Sequence, residues 1–248
     1  MGAVYTLWLR EITRFKRNRS RLIGSMAFPA LFLVFMGTGF KGAFRYQGDI
    51  SYAAFIGPGI VAMSLLFSSM FGGMSVMWDR QFGFLKEILV APVSRISIMA
   101  GQTLGTVTTS MLKGVVFLVI LLVFGLIKPE PIGMLAAFGF MFLISAAFVS
   151  LGIAVATRMR DPHGFQLIMN FLIMPVFFLS GALFPLDELP GWLAILTHVN
   201  PLTYGVDGLR FALGVPHQFS PLWNLLILVT FWAVTTFIGG LLFRRMTP

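Results

Sequence analysis

The 248-residue sequence has no cysteine, three histidines and only nine acidic residues, and each shortage closes off a class of protein. Without cysteine there is no structural disulfide and no thiol nucleophile. Charged residues make up 11% of the chain, against about 25% in a soluble domain. His163, His198 and His217 fall in separate segments and no H-E-x-x-H spacing exists, so no metal site is expected. No G-x-x-x-x-G-K-[ST] stretch occurs either. The chain therefore has no P-loop for ATP phosphates, and any ATP it depends on would be hydrolysed by a partner. An intramembrane serine protease needs a buried serine beside a base. Ser180-Gly181 is the nearest candidate, but Phe178 stands where a glycine would be wanted. Ser180 is better explained as a small residue at a helix end. No catalytic, cofactor-binding or metal residue is expected. The basic, amphipathic start also lacks the short apolar core of a cleavable signal.

What the chain has in abundance is apolar sequence, with 57% hydrophobic residues and a mean hydropathy of +0.89. Six runs stand out, over residues 22–40, 50–78, 96–127, 132–157, 164–186 and 221–243. Each approaches or exceeds the ~20 residues that carry a helix across a bilayer. The expected fold is an all-α integral membrane protein with six transmembrane helices in a single domain. Pro29 is expected to kink the first run. The third run is polar in its first half, where Gln102, Thr103, Thr106, Thr108, Thr109 and Ser110 crowd together. That half should face other helices or extend below the membrane. Gly101 and Gly105 form a G-x-x-x-G, which points to close helix packing. Lys113 lies inside this run and admits two readings. It either faces a pathway in the bundle or snorkels toward the cytoplasmic interface. The fifteen methionines and 27 phenylalanines read as lipid-facing and packing residues.

Residues 1–21 form the first organised element. Arg10, Arg14, Arg17 and Arg21 recur at helical spacing, with Val4, Leu7, Trp8, Ile12 and Phe15 on the opposite side. This predicts a helix at the membrane interface, arginines toward anionic headgroups and tryptophan at headgroup depth. The net charge of +9 is thereby assigned to membrane flanks, not to nucleic-acid binding. Counting lysines and arginines outside the runs places thirteen on the side of both termini and four on the other. By the positive-inside rule both termini are cytoplasmic, in a multi-pass protein of the plasma (inner) membrane.

Two connecting segments carry more than connection. Residues 79–95 form a cytoplasmic loop in which Phe82, Phe84, Leu85, Ile88 and Leu89 lie among charges ahead of Pro92. That pattern predicts a short amphipathic helix whose apolar face needs a membrane or a protein partner. On the outer side, Ser180 to Arg210 is broken by Pro185, Pro190 and Pro201 and holds Asp187, Glu188, Asp207 and Arg210. No single helix can run through it, and its charges would be costly in lipid. Residues 187–216 are therefore expected to be a re-entrant segment of short helices walled by protein.

These two segments together resemble the permease subunits of type-2 ATP-binding-cassette (ABC) exporters, in particular the drug-resistance and nodulation-factor branch. The loop GFLKEILVAPVSR is similar to that family's glycine, glutamate and leucine pair before a proline and a basic residue. The outer segment SGALFPLDELPGWLAILTHVNPLTYGVDGLR is similar to its second signature nearly throughout. The resemblance spans the whole chain. It implies a complex of two permeases, the same or similar chains, and two copies of a separate ABC ATPase that binds ATP and Mg. It further implies that loop 79–95 is the coupling helix, with Gly83, Glu87 and Pro92 shaping the ATPase contact and Arg80, Lys86 and Arg95 flanking it. The first and fifth spans would line the pathway and the permease–permease contact. Pro185, Pro190, Trp192, Asn200, Pro201, Tyr204 and Arg210 would close the outer side. Lys86 and Lys113 lie outside the family pattern and their roles stay open.

The function expected is that of a permease subunit, itself no enzyme, exporting an amphipathic, drug-like or lipid- or glycan-type substrate. Two other classes compete. A stand-alone secondary transporter or channel would show midplane ionisable residues, and only Lys113 qualifies. An intramembrane enzyme would show a paired nucleophile and base, and none is present.

Overall fold

In the computed structural model, residues 2–17, 19–40, 50–81, 94–159, 161–186 and 189–244 are described. They form ten helices and no strand: α1 (Gly2–Arg17), α2 (Arg19–Gly39), α3 (Tyr52–Met70), α4 (Gly73–Gln81), α5 (Arg95–Val123), α6 (Pro131–Arg158), α7 (Pro162–Phe178), α8 (Gly191–Val199), α9 (Pro201–Ala212) and α10 (Pro221–Arg244). Four stretches are long and apolar enough to cross a membrane: Tyr52–Asp79, Ile96–Val123, Pro131–Arg158 and Pro221–Phe243. Ile23–Gly39 and Pro162–Phe178 are shorter apolar helices.

The bundle is built around α3. Its sequence is apolar on every side, as suits a helix surrounded by others, and Ile56, Val61, Leu65 and Leu66 are wholly buried. Helices α2, α5, α6 and α9 pack against it, and α10 lies along α6. Methionines serve here as core filler, with Met63, Met70, Met77, Met141 and Met169 all buried. Lipid is as apolar as these side chains, so van der Waals fit and hydrogen bonds carry the association.

Several run boundaries differ from the sequence reading. The second run is two helices, because the chain bends at Phe71 and Gly72. There the Gly72 N–H reaches back to the Ser69 carbonyl and the Ser75 hydroxyl donates to the Gly72 carbonyl at 2.9 Å. Helix α2 continues through Pro29, and α7 through Pro175. The helix of the fifth run stops at Phe178, and residues 179–186 fold into turns buried in the protein. Ser180 makes that stop: its hydroxyl donates to the Phe177 carbonyl at 2.6 Å and accepts from the Ala182 N–H. Gly181 follows with φ +68°, a conformation that excludes most side chains. Asp79, read as the first residue of the cytoplasmic loop, is instead inside α4 and only 3% exposed.

Helix α1 runs alongside the first half of α5 in the same direction. Gly101 of α5 lies against Val4 and Leu7, and Gly105 one turn on lies against Trp8 and Glu11. A Cβ on Gly105 would stand 2.6 Å from the Glu11 Cβ. The G-x-x-x-G is thus the groove in which α1 sits, and the hydroxyl-rich half of α5 faces α1. Trp8 donates its indole N–H to the Thr108 hydroxyl at 3.1 Å, so part of the side chain expected at the headgroups is engaged with protein.

Candidate functional site

A cavity of about 750 Å³ opens beside the bend at Phe71–Gly72, both of which line it. Helices α1, α2, α3, α4, α5 and α7 all contribute to its lining. Aromatic and methionine side chains come mainly from α2, α3, α4 and α7, among them Phe28, Phe67, Trp78 and Met174. Charge comes from α1 and α5, as Glu11, Arg14 and Lys113. Hydroxyls of Ser25, Ser64, Ser68, Ser75, Thr106 and Thr109 line the space between. Such a mixture suits a ligand that is part apolar and part polar.

Lys113 is half-buried in α5. It lines the cavity, and its ammonium lies 5.9 Å from the centre of the Phe15 ring near the end of α1. The side chain thus bends along the bundle toward α1, and an aromatic face partly offsets the loss of water around the charge.

Beside the cavity, α1 is fastened to α4 and α5 by a polar cluster. The Arg10 guanidinium binds the Asp79 carboxylate, and Gln102 of α5 donates to the same oxygen at 3.1 Å. Arg14 stands 3.7 Å from Asp79 and 3.5 Å from Glu11, while Arg10 reaches Glu11 at 3.3 Å. Arg10 and Arg14, expected at lipid headgroups, thus both lie within reach of protein carboxylates, with Arg14 still 44% exposed. Arg17 is exposed. The side chain of Arg21 lies outside the described residues. Asp79 and Glu11 were not singled out from the sequence. The available signal was an acidic residue at the end of a span, in a chain with few acids, opposite a face of arginines.

Of the residues expected to form the coupling contact, Gly83, Lys86, Glu87 and Pro92 lie outside the described residues, as do the side chains of Arg80 and Arg95. The described chain reaches Gln81 and resumes at Ser94, and the clasp at Asp79 sits at the near end of that gap.

On the opposite side the broken segment forms α8 and α9. Pro190 stands at the N-terminus of α8, its carbonyl accepting from Leu193 and Ala194. Asn200 joins the two helices: its side chain caps α9 through the Leu202 N–H and donates to the Val176 carbonyl of α7 at 2.6 Å. Pro201 fills the first turn of α9, where no donor is needed. Tyr204 is buried and donates to the His198 carbonyl at 2.8 Å. Arg210, 4% exposed, donates to the Gly181 carbonyl at 2.7 Å and stacks over the Phe55 ring at 4.0 Å. Asp207 accepts from the N–H groups of Gln218 and Phe219 and from the Asn224 amide. Its charge, read as costly in lipid, is buried in protein and fully used. Pro185 is buried with the turns, and Trp192 is 67% exposed on α8. Six of the seven outer residues thus hold the segment together or lie within it, while Trp192 faces outward. Asp187 and Glu188 lie outside the described residues. Among the described residues no group of three metal-binding side chains occurs.

A bundle of apolar helices, four of them with stretches long enough to cross a membrane, around an amphipathic cavity is the architecture of a multi-pass membrane protein and suits one of the transport class. Residues 2–214 match the family model described as ABC-2 type transporter, and the chain belongs to that family. It is 32% identical to a putative transport permease, ycf38, of Cyanophora paradoxa, over 84% of this chain and 73% of that protein. Nodulation protein J of Rhizobium meliloti is 28% identical, over 98% of this chain and 93% of its own length. The inner membrane transport permease YadH of Escherichia coli K12 is 25% identical, over 95% and 90%. The chain is accordingly a transmembrane permease subunit of an ABC transporter, and the family associates with an ABC ATPase.

Proposed function

We propose that this permease works as an exporter, in a complex of two permease chains with two copies of a separate ATPase. Its substrate is amphipathic, drug-like or of lipid or glycan type, taken from the cytoplasmic side and released outward. Both chain termini are cytoplasmic. An inner-membrane location is carried over from the name of the Escherichia coli relative. The observation that carries the reading is the cavity: an amphipathic chamber walled by six helices, with the clasped α1–α4–α5 unit beside it.

In mechanical terms, ATP binding draws the two motor domains together and loop 79–95 receives the movement. Such coupling requires contact energy that differs between the two states of the motor. The Arg10–Asp79–Gln102 clasp supports this role for the loop, because it ties the helix entering the loop to α1 and to the helix leaving it. A displacement of the loop is then felt by three walls of the cavity together. Glu87 is the loop's contact residue in this scheme.

The test is gentle purification of the tagged chain from its native membranes, in wild-type form and as Glu87→Ala. A P-loop ATPase is expected in equal amount with the wild type. In the variant its retention, or its stimulation by the permease, should fall about tenfold, the scale of losing one charge-assisted contact. A self-sufficient transport activity with no ATPase present would overturn the exporter reading.

A further inference from the structure

We infer that the cavity binds an uncharged amphiphile with a hydroxylated headgroup, and that Ser64 is the residue that selects it. The inference deepens the exporter reading and rests on it only where the ligand is called cargo. Three observations carry it.

The first is the pattern of donors and acceptors. Ser64 of α3 is 3% exposed, lines the cavity, and its Oγ has no hydrogen-bond partner among the described residues. A buried hydroxyl left unpaired costs free energy, and a ligand oxygen in the cavity would remove that cost. Two other lining hydroxyls are placed differently. Ser75 donates to the Gly72 carbonyl at 2.9 Å, and Thr109 to the Thr106 carbonyl at 3.0 Å. Their protons are committed, so toward a ligand these two oxygens accept. The lining thus offers a donor at Ser64 and acceptors at Ser75 and Thr109. Ligand hydroxyls answer both, because each donates and accepts. An ionised phosphate or carboxylate oxygen only accepts, and a quaternary ammonium does neither.

The second is where the charges of the lining are turned. Glu11 stands 3.3 Å from Arg10 and 3.5 Å from Arg14, and Arg14 stands 3.7 Å from Asp79. The Lys113 ammonium lies over the Phe15 ring. A charged headgroup would compete with these contacts. An uncharged one leaves them, and the clasp on α1, intact.

The third is the apolar wall of Phe28, Phe67, Phe71, Met74 and Met174. It keeps a hydrocarbon chain covered. A chain that leaves the bilayer for this wall gains little, since lipid is equally apolar. Discrimination between amphiphiles therefore falls to the polar contacts, and among them to the donor that lacks a partner.

The test uses the full-length chain in nanodiscs of phosphatidylcholine, with radiolabelled decyl glucoside below its micellar concentration as probe. Saturable binding is expected in the wild type. Decyl phosphate and decyltrimethylammonium, which carry the same chain, should compete about tenfold less well, and glucose alone should not compete over the same range. Ser64→Ala should bind about fivefold more weakly, the scale of one hydrogen bond. Without ligand it should melt no lower than wild type, because the substitution removes an unpaired buried hydroxyl. Wild-type affinity in Ser64→Ala would overturn the inference. A lower melting temperature of the ligand-free variant would do the same, since it would mean that Ser64 already has a protein partner. Decyl phosphate competing as well as decyl glucoside in the wild type would overturn it without any variant. Adding a galactosyl diacylglycerol to the nanodisc separates two sources of the same chemistry. Competition assigns the site to a bilayer glycolipid, lack of competition assigns it to a free amphiphile, and both uphold the hydroxyl-reading site. The assay needs neither ATP nor ATPase. Failure to bind therefore overturns the inference and leaves the exporter reading standing, while absence of a co-purifying ATPase leaves the binding site standing.

Discussion

Asp161 begins α7 by accepting the N–H groups of His163 at 3.1 Å and Gly164 at 2.7 Å. Those two donors hold its carboxyl below the ordinary carboxylate value. A carboxyl whose value is lowered by folding contributes stability above its unfolded pKa, near 4, and loses it as pH falls through the lower folded value. The first turn of α7 should therefore loosen in acid and not in base. Hydrogen exchange at His163 and Gly164, corrected for intrinsic rates, is expected to accelerate between pH 6 and pH 3. In Asp161→Asn, which still caps but does not titrate, that acid-dependent acceleration should disappear. An unchanged pH response in the variant would remove Asp161 as its source.

At the scale of elements, the contact between α1 and its neighbours combines shape with charge. Gly101 and Gly105 allow the approach, and the Arg10–Asp79 pair with Gln102 sets the register. Two charges brought out of water are weak evidence of net stability, but removing one of them leaves the other stranded. Asp79→Ala is expected to cost about 3 kcal/mol. Adding Arg10→Met to it should recover part of that loss, with a coupling of about 1–2 kcal/mol. Denaturation of the four chains of this cycle in mixed micelles measures it, and strict additivity would mean that α1 is held by packing alone.

At the scale of the whole molecule, the arrangement in the bilayer rests on charge counts that labelling can check. Absence of cysteine makes a single introduced thiol an unambiguous reporter. His163 and His217 are both exposed, at the start of α7 and in the segment after α9. With both termini inside, a membrane-impermeant maleimide added to intact cells should label His217→Cys nearly completely and His163→Cys only after the membrane is opened. The reverse pattern would invert the topology.

The sequence was sufficient for what depends on solvent. Apolar runs long enough for a bilayer must become helices, because no water is present to satisfy an open backbone. Broken, charged stretches must leave the lipid, and by that logic the segment Ser180 to Arg210 is not read as a single span. Its charged residues explain the limit of such reading. Asp207 and Arg210 are recognisable as unsuited to lipid, but their partners at Gln218, Phe219, Asn224 and Gly181 depend on how distant turns are brought together. The same holds for Asp79, which local sequence assigns to a loop and folding buries against Arg10. Cavity and clasp were decided by tertiary structure alone, because each is assembled from side chains on separate helices whose relative placement no single helix encodes.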